Sequence, residues 1–255
     1  MSGYVEAARV LSNEQIGADV WIMELYAPKQ AKEAQVGQFC NVRVTDGTAP
    51  LLRRPISYAG FDSEKGTITL LYRVVGRGTE LMTRLEKDDT LDCLGPLGSR
   101  FETSRHMLLV GGGVGIAPML CIASKLTKGE KAQVLLGFRS KSESFWADLF
   151  KPYPVKVHIT TDDGSLGTKG FPTALMPTLA ADNDFSAVLT CGPTPMMKGV
   201  AAEAAALGIP CQVSLEERMG CGTGGCLGCG CDGAGGKRYK VCQDGPVFPA
   251  EEVFF

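Results

Sequence analysis

Four cysteines near the C-terminus, Cys221, Cys226, Cys229 and Cys242, constrain this chain more than any other feature. They are spaced C-x4-C-x2-C-x12-C. Three thiols on one Gly-rich loop, plus a fourth returning from further along, form the ligand pattern of a plant-type 2Fe–2S cluster. Residues 213–255 are too glycine-rich and too few to hold a core alone, so a metal centre must staple them. Gly222, Gly224, Gly225 and Gly228 permit left-handed or tight backbone that turns amides toward sulfur, and such hydrogen bonds tune the potential. Cys231 falls outside the spacing and reads as a bystander. Structural zinc is the competing reading. Zinc sites usually bring two C-x2-C pairs, and here only Cys226 and Cys229 form one. A 2Fe–2S centre carries one electron at a time, so on that reading the chain moves electrons, whereas the zinc reading makes it a zinc-stapled nucleotide-binding module with no electron flow.

The rest of the chain can house the other end of such a transfer. At 255 residues it can bury a substantial core, in one large domain or two to three small ones. The net charge of −2 and the lack of a Lys/Arg run argue against nucleic acid as a partner. No apolar run reaches the length of a membrane span, and the N-terminus lacks the basic and apolar regions of a signal peptide. Half of the ten cysteines sit in the C-terminal cluster, and the others are scattered among apolar or glycine neighbours. That distribution predicts a reducing, cytoplasmic setting with a metal site rather than a disulfide framework.

Three segments follow from patterning. Residues 1–100 read as all-β, with runs at 20–26, 39–44, 67–75 and 90–94 between Gly, Asp and Pro punctuation, which predicts a small antiparallel barrel. Residues 101–212 alternate strands (107–110, 134–138, 155–160, 187–190) with helices (118–126 and about 195–207), which predicts a parallel sheet. Residues 213–255 form the small metal-binding segment.

Two glycine turns in the second segment fit a nucleotide. Gly111, Gly112, Gly113 and Gly115 lead into Pro118 where a strand becomes a helix. There a pyrophosphate could approach the backbone and the free amides of a helix start. The spacing is not G-x-G-x-x-G, and Arg139 and Lys141 follow the next strand in place of an acidic residue, so NAD and NADP stay undistinguished. Cys191, Gly192 and Pro193 end a later strand at the edge where ligands of open parallel sheets sit. Cys191 reads either as a nicotinamide contact or as a small buried residue. In the first segment, Arg53, Arg54, Pro55, Ile56 and Ser57 place two fixed cations beside a rigid proline and a hydroxyl. Leu71, Tyr72 and Arg73 add an aromatic and a cation, and Gly78 and Thr79 precede a helix-like run, with Thr79 a candidate N-cap. Without further context these residues equally describe an exposed basic strand. His106 and His158 have no neighbouring carboxylate or serine and read as structural.

Arg54-Pro55-Ile56-Ser57, Gly111–Pro118, Cys191-Gly192-Pro193 and the terminal cysteines occur in one order. That order resembles the ferredoxin reductase superfamily and, within it, the electron-transfer subunits of type B, NAD-dependent dihydroorotate dehydrogenase. Glu217–Gly222 and Val241–Phe248 look like that family's cluster signature and tail. The resemblance implies a FAD-binding barrel, an NAD-binding α/β domain and a 2Fe–2S domain. It carries FAD contacts onto Arg54, Pro55, Ile56, Ser57, Leu71, Tyr72, Arg73, Gly78 and Thr79, and cluster ligation onto Cys221, Cys226, Cys229 and Cys242. Ile56 stands where the superfamily usually has Tyr, so Tyr58 or Tyr72 is the expected flavin cover. The resemblance further implies a catalytic, FMN-containing dihydroorotate dehydrogenase subunit as partner, two of each chain. A hydrogenase, transhydrogenase or glutamate synthase-like partner is the alternative.

Overall fold

The computed structural model describes residues 3–255. The first hundred residues build strands β1 (Tyr4–Gln15), β2 (Val20–Tyr26), β3 (Phe39–Arg43), β4 (Arg54–Asp62), β5 (Thr67–Arg73) and β6 (Thr90–Leu97), with short helices α1 (Pro28–Glu33) and α2 (Arg77–Met82). The strands close into an antiparallel barrel in the order β1-β2-β5-β4-β3-β6. Closure removes most of the exposed sheet edge. Inward positions alternate along the strands, so Met23 and Leu25, Ile68 and Leu70, and Cys40 and Val42 are buried, as is Leu91. β1 and β4 are the two strands that the sequence pattern does not announce. β1 runs with polar residues at most outward and end positions, and β4 opens on Arg-Pro.

Helix α1 is tied to the barrel through a polar plug. The Glu6 carboxylate accepts from the amides of Lys29 and Gln30 at 3.1 and 3.0 Å. The Gln30 side chain, fully buried, donates to the Cys93 carbonyl at 2.9 Å and accepts from the Tyr58 hydroxyl at 2.7 Å. Buried amides survive in a core only when both ends are satisfied in this way.

The second unit carries β7 (His106–Gly112), α3 (Ile116–Ser124), β8 (Lys131–Phe138), α4 (Phe145–Asp148), β9 (Lys156–Thr161), β10 (Thr168–Lys169), α5 (Met176–Asp182), β11 (Ala187–Cys191), α6 (Thr194–Ala206) and β12 (Cys211–Ser214). Strands β13 (Gly230–Asp232) and β14 (Arg238–Lys240) pair with each other, and the chain ends in β15 (Val247–Pro249) and α7 (Ala250–Phe254). The large sheet has the order β10-β9-β8-β7-β11-β12-β15. It is parallel except for β15, which runs antiparallel to β12. Strands covered on both faces need continuous apolar runs, and the buried 107–112 segment of β7 is one. β7 is followed by β8, β9 and β10 on one side, whereas β11 returns to its other side, so the switch in strand order falls between β7 and β11. The C-terminal segment is shared. Residues 216–231 and 238–246 belong to the barrel's compact unit, and 232–237 and 247–255 to that of the sheet. Among the described residues no helix is long and apolar enough to cross a membrane.

Tyr58→Phe tests the polar plug. It strands the buried Gln30 carbonyl oxygen, and the barrel's urea unfolding should lose about 1–3 kcal/mol. An unchanged midpoint would show that the hydroxyl contributes nothing.

Candidate functional site

The barrel opens at the residues that the sequence marks. β4 pairs with β5 from Tyr58 to Asp62 and no further. Beyond that point Arg54–Ser57 follows β3, and Leu71–Arg73 follows β2. The two strands therefore part, with all four residues 54–57 only half-buried. Helix α2 starts beside Arg54. A Cβ at Gly78 would overlap the Arg54 guanidinium, so glycine there leaves room for that cation to lie against the start of the helix. Thr79 is the third residue of α2 rather than its cap. Its hydroxyl accepts from the amides of Val75 and Gly76 at 3.0 and 3.3 Å and donates to the Gly76 carbonyl at 3.0 Å, so it shapes the turn.

The two arginines that look equivalent in sequence divide their work. Arg53 is held by the Asp92 carboxylate through both terminal nitrogens at 2.9 and 2.8 Å, and it also donates to the Asn41 carbonyl at 3.2 Å. It is a fastener between strands. Arg54 donates to the nearby Leu52 carbonyl and faces the opening. Arg73 lies 3.4 Å from Asp19.

Tyr58 and Tyr72 are 0% and 1% exposed. Tyr58 serves Gln30, and the Tyr72 hydroxyl donates to Asn13 at 3.0 Å. Burial pushes the Tyr72 phenol up to about 12, against the Asn13 contact that lowers it. Both rings are thus occupied inside the barrel, and neither offers a face as a flavin cover.

At the carboxyl edge of the parallel sheet the two glycine turns lie back to back. A Cβ at Gly115 would collide with the backbone of Cys191 and Gly192, and one at Gly112 would meet Met196 Sδ at 2.7 Å. Gly113 takes φ +56° and faces open space, and Gly192 takes φ +154°. Pro118 is buried in the first turn of α3. Cys191 is 1% exposed. Pro193 precedes α6, and these turns stand at the switch point between β7 and β11, where open α/β sheets bind ligands. Thr160 Oγ1 and Thr190 Oγ1, at the same edge, are buried with no hydrogen-bond partner among the described residues. Glycine cradles and orphaned hydroxyls both fit a dinucleotide. Arg139 is exposed, and the Lys141 amide donates to Ser165 of the 162–167 loop at 2.7 Å. Of the two histidines, His106 packs on Phe185 at 4.8 Å and His158 bonds Gln133 at 2.8 Å.

The cysteine loop folds so that its amides point at sulfur. Cys221 Sγ accepts from Thr223, Gly225 and Cys226 at 3.4, 3.3 and 3.4 Å, and Cys226 Sγ accepts from Cys221 at 3.3 Å. Cys242 Sγ accepts from Gly224 at 3.1 Å, and Cys229 Sγ from Cys242 at 3.4 Å. Gly222 and Gly224 supply the left-handed turns, φ +74° and +84°. A Cβ there would also press on the Asn41 and Gln243 side chains respectively. Burial raises the Cys221 thiol, yet the amides of Thr223 and Cys226 outweigh it and bring it down to about 6. Burial and the adjacent Cys229 thiol push Cys242 up to about 12.

The sulfurs fall into two pairs, Cys221 with Cys226 and Cys229 with Cys242, joined through Gly224. Among the described residues no three His, Cys, Asp or Glu groups gather around a single ion position. Two cysteine pairs suit a two-iron cluster, one pair per iron. A cavity of about 230 Å³, lined by Leu97, Gly98, Gly222, Thr223 and Cys242 among others, adjoins the second pair. Cys231 sits on β13, beyond the loop.

Known proteins carry the same order of parts. Residues 7–101 match the oxidoreductase FAD-binding domain, 109–202 the oxidoreductase NAD-binding domain, and 216–254 the iron-sulfur cluster binding domain of dihydroorotate dehydrogenase B. The electron transfer subunit of dihydroorotate dehydrogenase B (NAD(+)) from Fusobacterium nucleatum is 38% identical over 98% of both chains. That of Bacillus pumilus is 40% identical over 96% of both. The chain belongs to the family of dihydroorotate dehydrogenase B electron transfer subunits. Among solved structures, a chain of an NADH-dependent reduced ferredoxin-NADP oxidoreductase is 34% identical with a TM-score of 0.87, covering 99% of this chain and 91% of that one. The ferredoxin reductase of a carbazole 1,9a-dioxygenase, 22% identical with a TM-score of 0.66 over 82% of this chain and 68% of its own, shares the fold. The family's FAD-binding barrel and NAD-binding sheet are the two units described above.

Gly78→Ala should displace Arg54 and lower the FAD retained through gel filtration. Gly76→Ala is the control, since a Cβ there meets nothing within 4 Å. Gly115→Ala should weaken NADH binding roughly tenfold, the equivalent of about 1.4 kcal/mol, with FAD and iron content unchanged. A fluorescence titration of NADH reads the effect.

Proposed function

We propose that this chain is the electron-transfer subunit of an NAD-linked dihydroorotate dehydrogenase, taking electrons from a catalytic partner and delivering them to NAD. The observation that carries this reading is the loop at 221–229 with Cys242, whose sulfurs pair two by two and whose domain matches that enzyme's cluster-binding family. When bound, a 2Fe–2S cluster moves single electrons, a nicotinamide takes two as hydride, and FAD handles both modes, so the three together join one-electron supply to two-electron reduction.

The chain's own residues bind and orient. Cys221, Cys226, Cys229 and Cys242 hold the cluster, and the loop amides compensate their charge. Arg54 and the first amides of α2 would hold the FAD diphosphate, and the Ser57 hydroxyl would hydrogen-bond the flavin. Gly112, Gly113 and Gly115, with Gly192, let the NAD diphosphate reach the backbone. Because the cluster delivers electrons only, the hydride passed to NAD would need one proton taken up from solvent at the flavin, and the protein's own contribution is position and potential. The partner is the subunit that binds dihydroorotate and carries FMN, in a complex with two of each chain, and the setting is the cytoplasm.

A second reading has specific support. The 34% identity to a chain of an NADH-dependent reduced ferredoxin-NADP oxidoreductase, over nearly the whole length, suits a subunit that serves ferredoxin and NADP instead.

Mixing this chain, loaded with FAD and iron, with the purified catalytic dihydroorotate dehydrogenase subunit of the same organism tests both. NAD reduction driven by dihydroorotate, in the mixture only, is the expected result. No such activity, with NADPH-dependent ferredoxin exchange in its place, would favour the second reading.

A further inference from the structure

The peptide between Gly224 and Gly225 is engaged at both ends. Its amide, on Gly225, donates to Cys221 Sγ at 3.3 Å. Its carbonyl, on Gly224, accepts from the half-buried Lys240 ammonium at 3.3 Å. The neighbouring amide of Gly224 donates to Cys242 Sγ at 3.1 Å, so this short stretch touches one sulfur of each cysteine pair. Lys240 is the cation that the structure brings to it. The Asp244 carboxylate accepts from the Lys240 backbone amide at 2.7 Å, and the Gln243 side chain that lies against Gly224 is neutral.

A cation on a carbonyl polarises the whole peptide and strengthens the hydrogen bond its amide makes, because serial bonds reinforce one another. Each stronger bond to a cluster sulfur, and each positive charge nearby, favours the reduced cluster, which carries one more negative charge. We propose that Lys240 is a positioning residue that raises the reduction potential of the cluster, acting through the Gly224–Gly225 peptide on Cys221. The inference rests on the proposed cluster ligation. It gives the hairpin β13–β14 a purpose that ligation alone does not, since β14 delivers Lys240 two residues before Cys242.

The experiment is an EPR-monitored redox titration of the purified holoprotein against dithionite, in wild type, Lys240→Gln and Lys240→Arg, with iron, sulfide and FAD measured on each sample. At the potential where the wild-type cluster is half reduced, Lys240→Gln should show the reduced-to-oxidised ratio falling roughly threefold, about 28 mV at 59 mV per decade. Lys240→Arg should stay close to wild type, and the FAD midpoint should not move. A Lys240→Gln protein with full iron content and an unchanged ratio overturns the proposal. If Lys240→Gln loses iron, Lys240→Met, which keeps the aliphatic stem, replaces it. Loss of iron in both marks a structural fastening and also overturns the tuning role. Absence of any cluster signal in wild-type protein that holds FAD would instead refute the ligation on which the inference depends.

Discussion

Backbone amides aimed at sulfur are the interaction on which the C-terminal segment depends. Thiolates brought together repel one another, and only nearby donors or metal ions make their convergence tolerable. The loop supplies donors from nearly every residue between Cys221 and Cys226. That demand favours glycine at 222 and 224, where the left-handed dihedral angles disfavour a side chain and a Cβ would press on the Asn41 and Gln243 side chains. The segment's composition is therefore a consequence of its chemistry rather than of loop flexibility.

The same logic of glycine as permission for close approach governs the two cofactor surfaces. At Gly78 the missing Cβ admits a guanidinium, and at Gly115 it admits the backbone of the neighbouring turn. In each case a rigid element carries the contact: a barrel strand in the first, a parallel strand in the second. The sheet places its turns at a switch point, and the barrel creates its opening by letting β4 and β5 part. The binding surfaces are thus set by where hydrogen-bonded pairing stops.

What the sequence reveals and what it conceals divides along distance in the chain. The cysteine spacing and both glycine turns are local, and each reads directly from neighbouring residues. Strand β2 and helices α3 and α6 are within two residues of their pattern-based bounds. The roles of Arg53 and Arg54 do not separate locally, because Asp92, which claims Arg53, lies 39 residues away on β6. Tyr58 and Tyr72 look like candidates for an exposed ring until barrel closure and Gln30 bury them. β12, only four residues long, and β15 become strands through pairing with distant partners. Lys240 carries no signal in sequence at all, since its contact with Gly224 requires the fold of the loop and of β14 together.

The central claim is that four cysteines in two pairs hold two irons. Mössbauer spectroscopy of 57Fe-labelled protein purified without oxygen, with iron, zinc and acid-labile sulfide counted on the same sample, tests it most directly. The expected result is two irons and two sulfides per chain, with two distinct iron valences after one-electron reduction. One zinc per chain, no sulfide and no iron spectrum would contradict it.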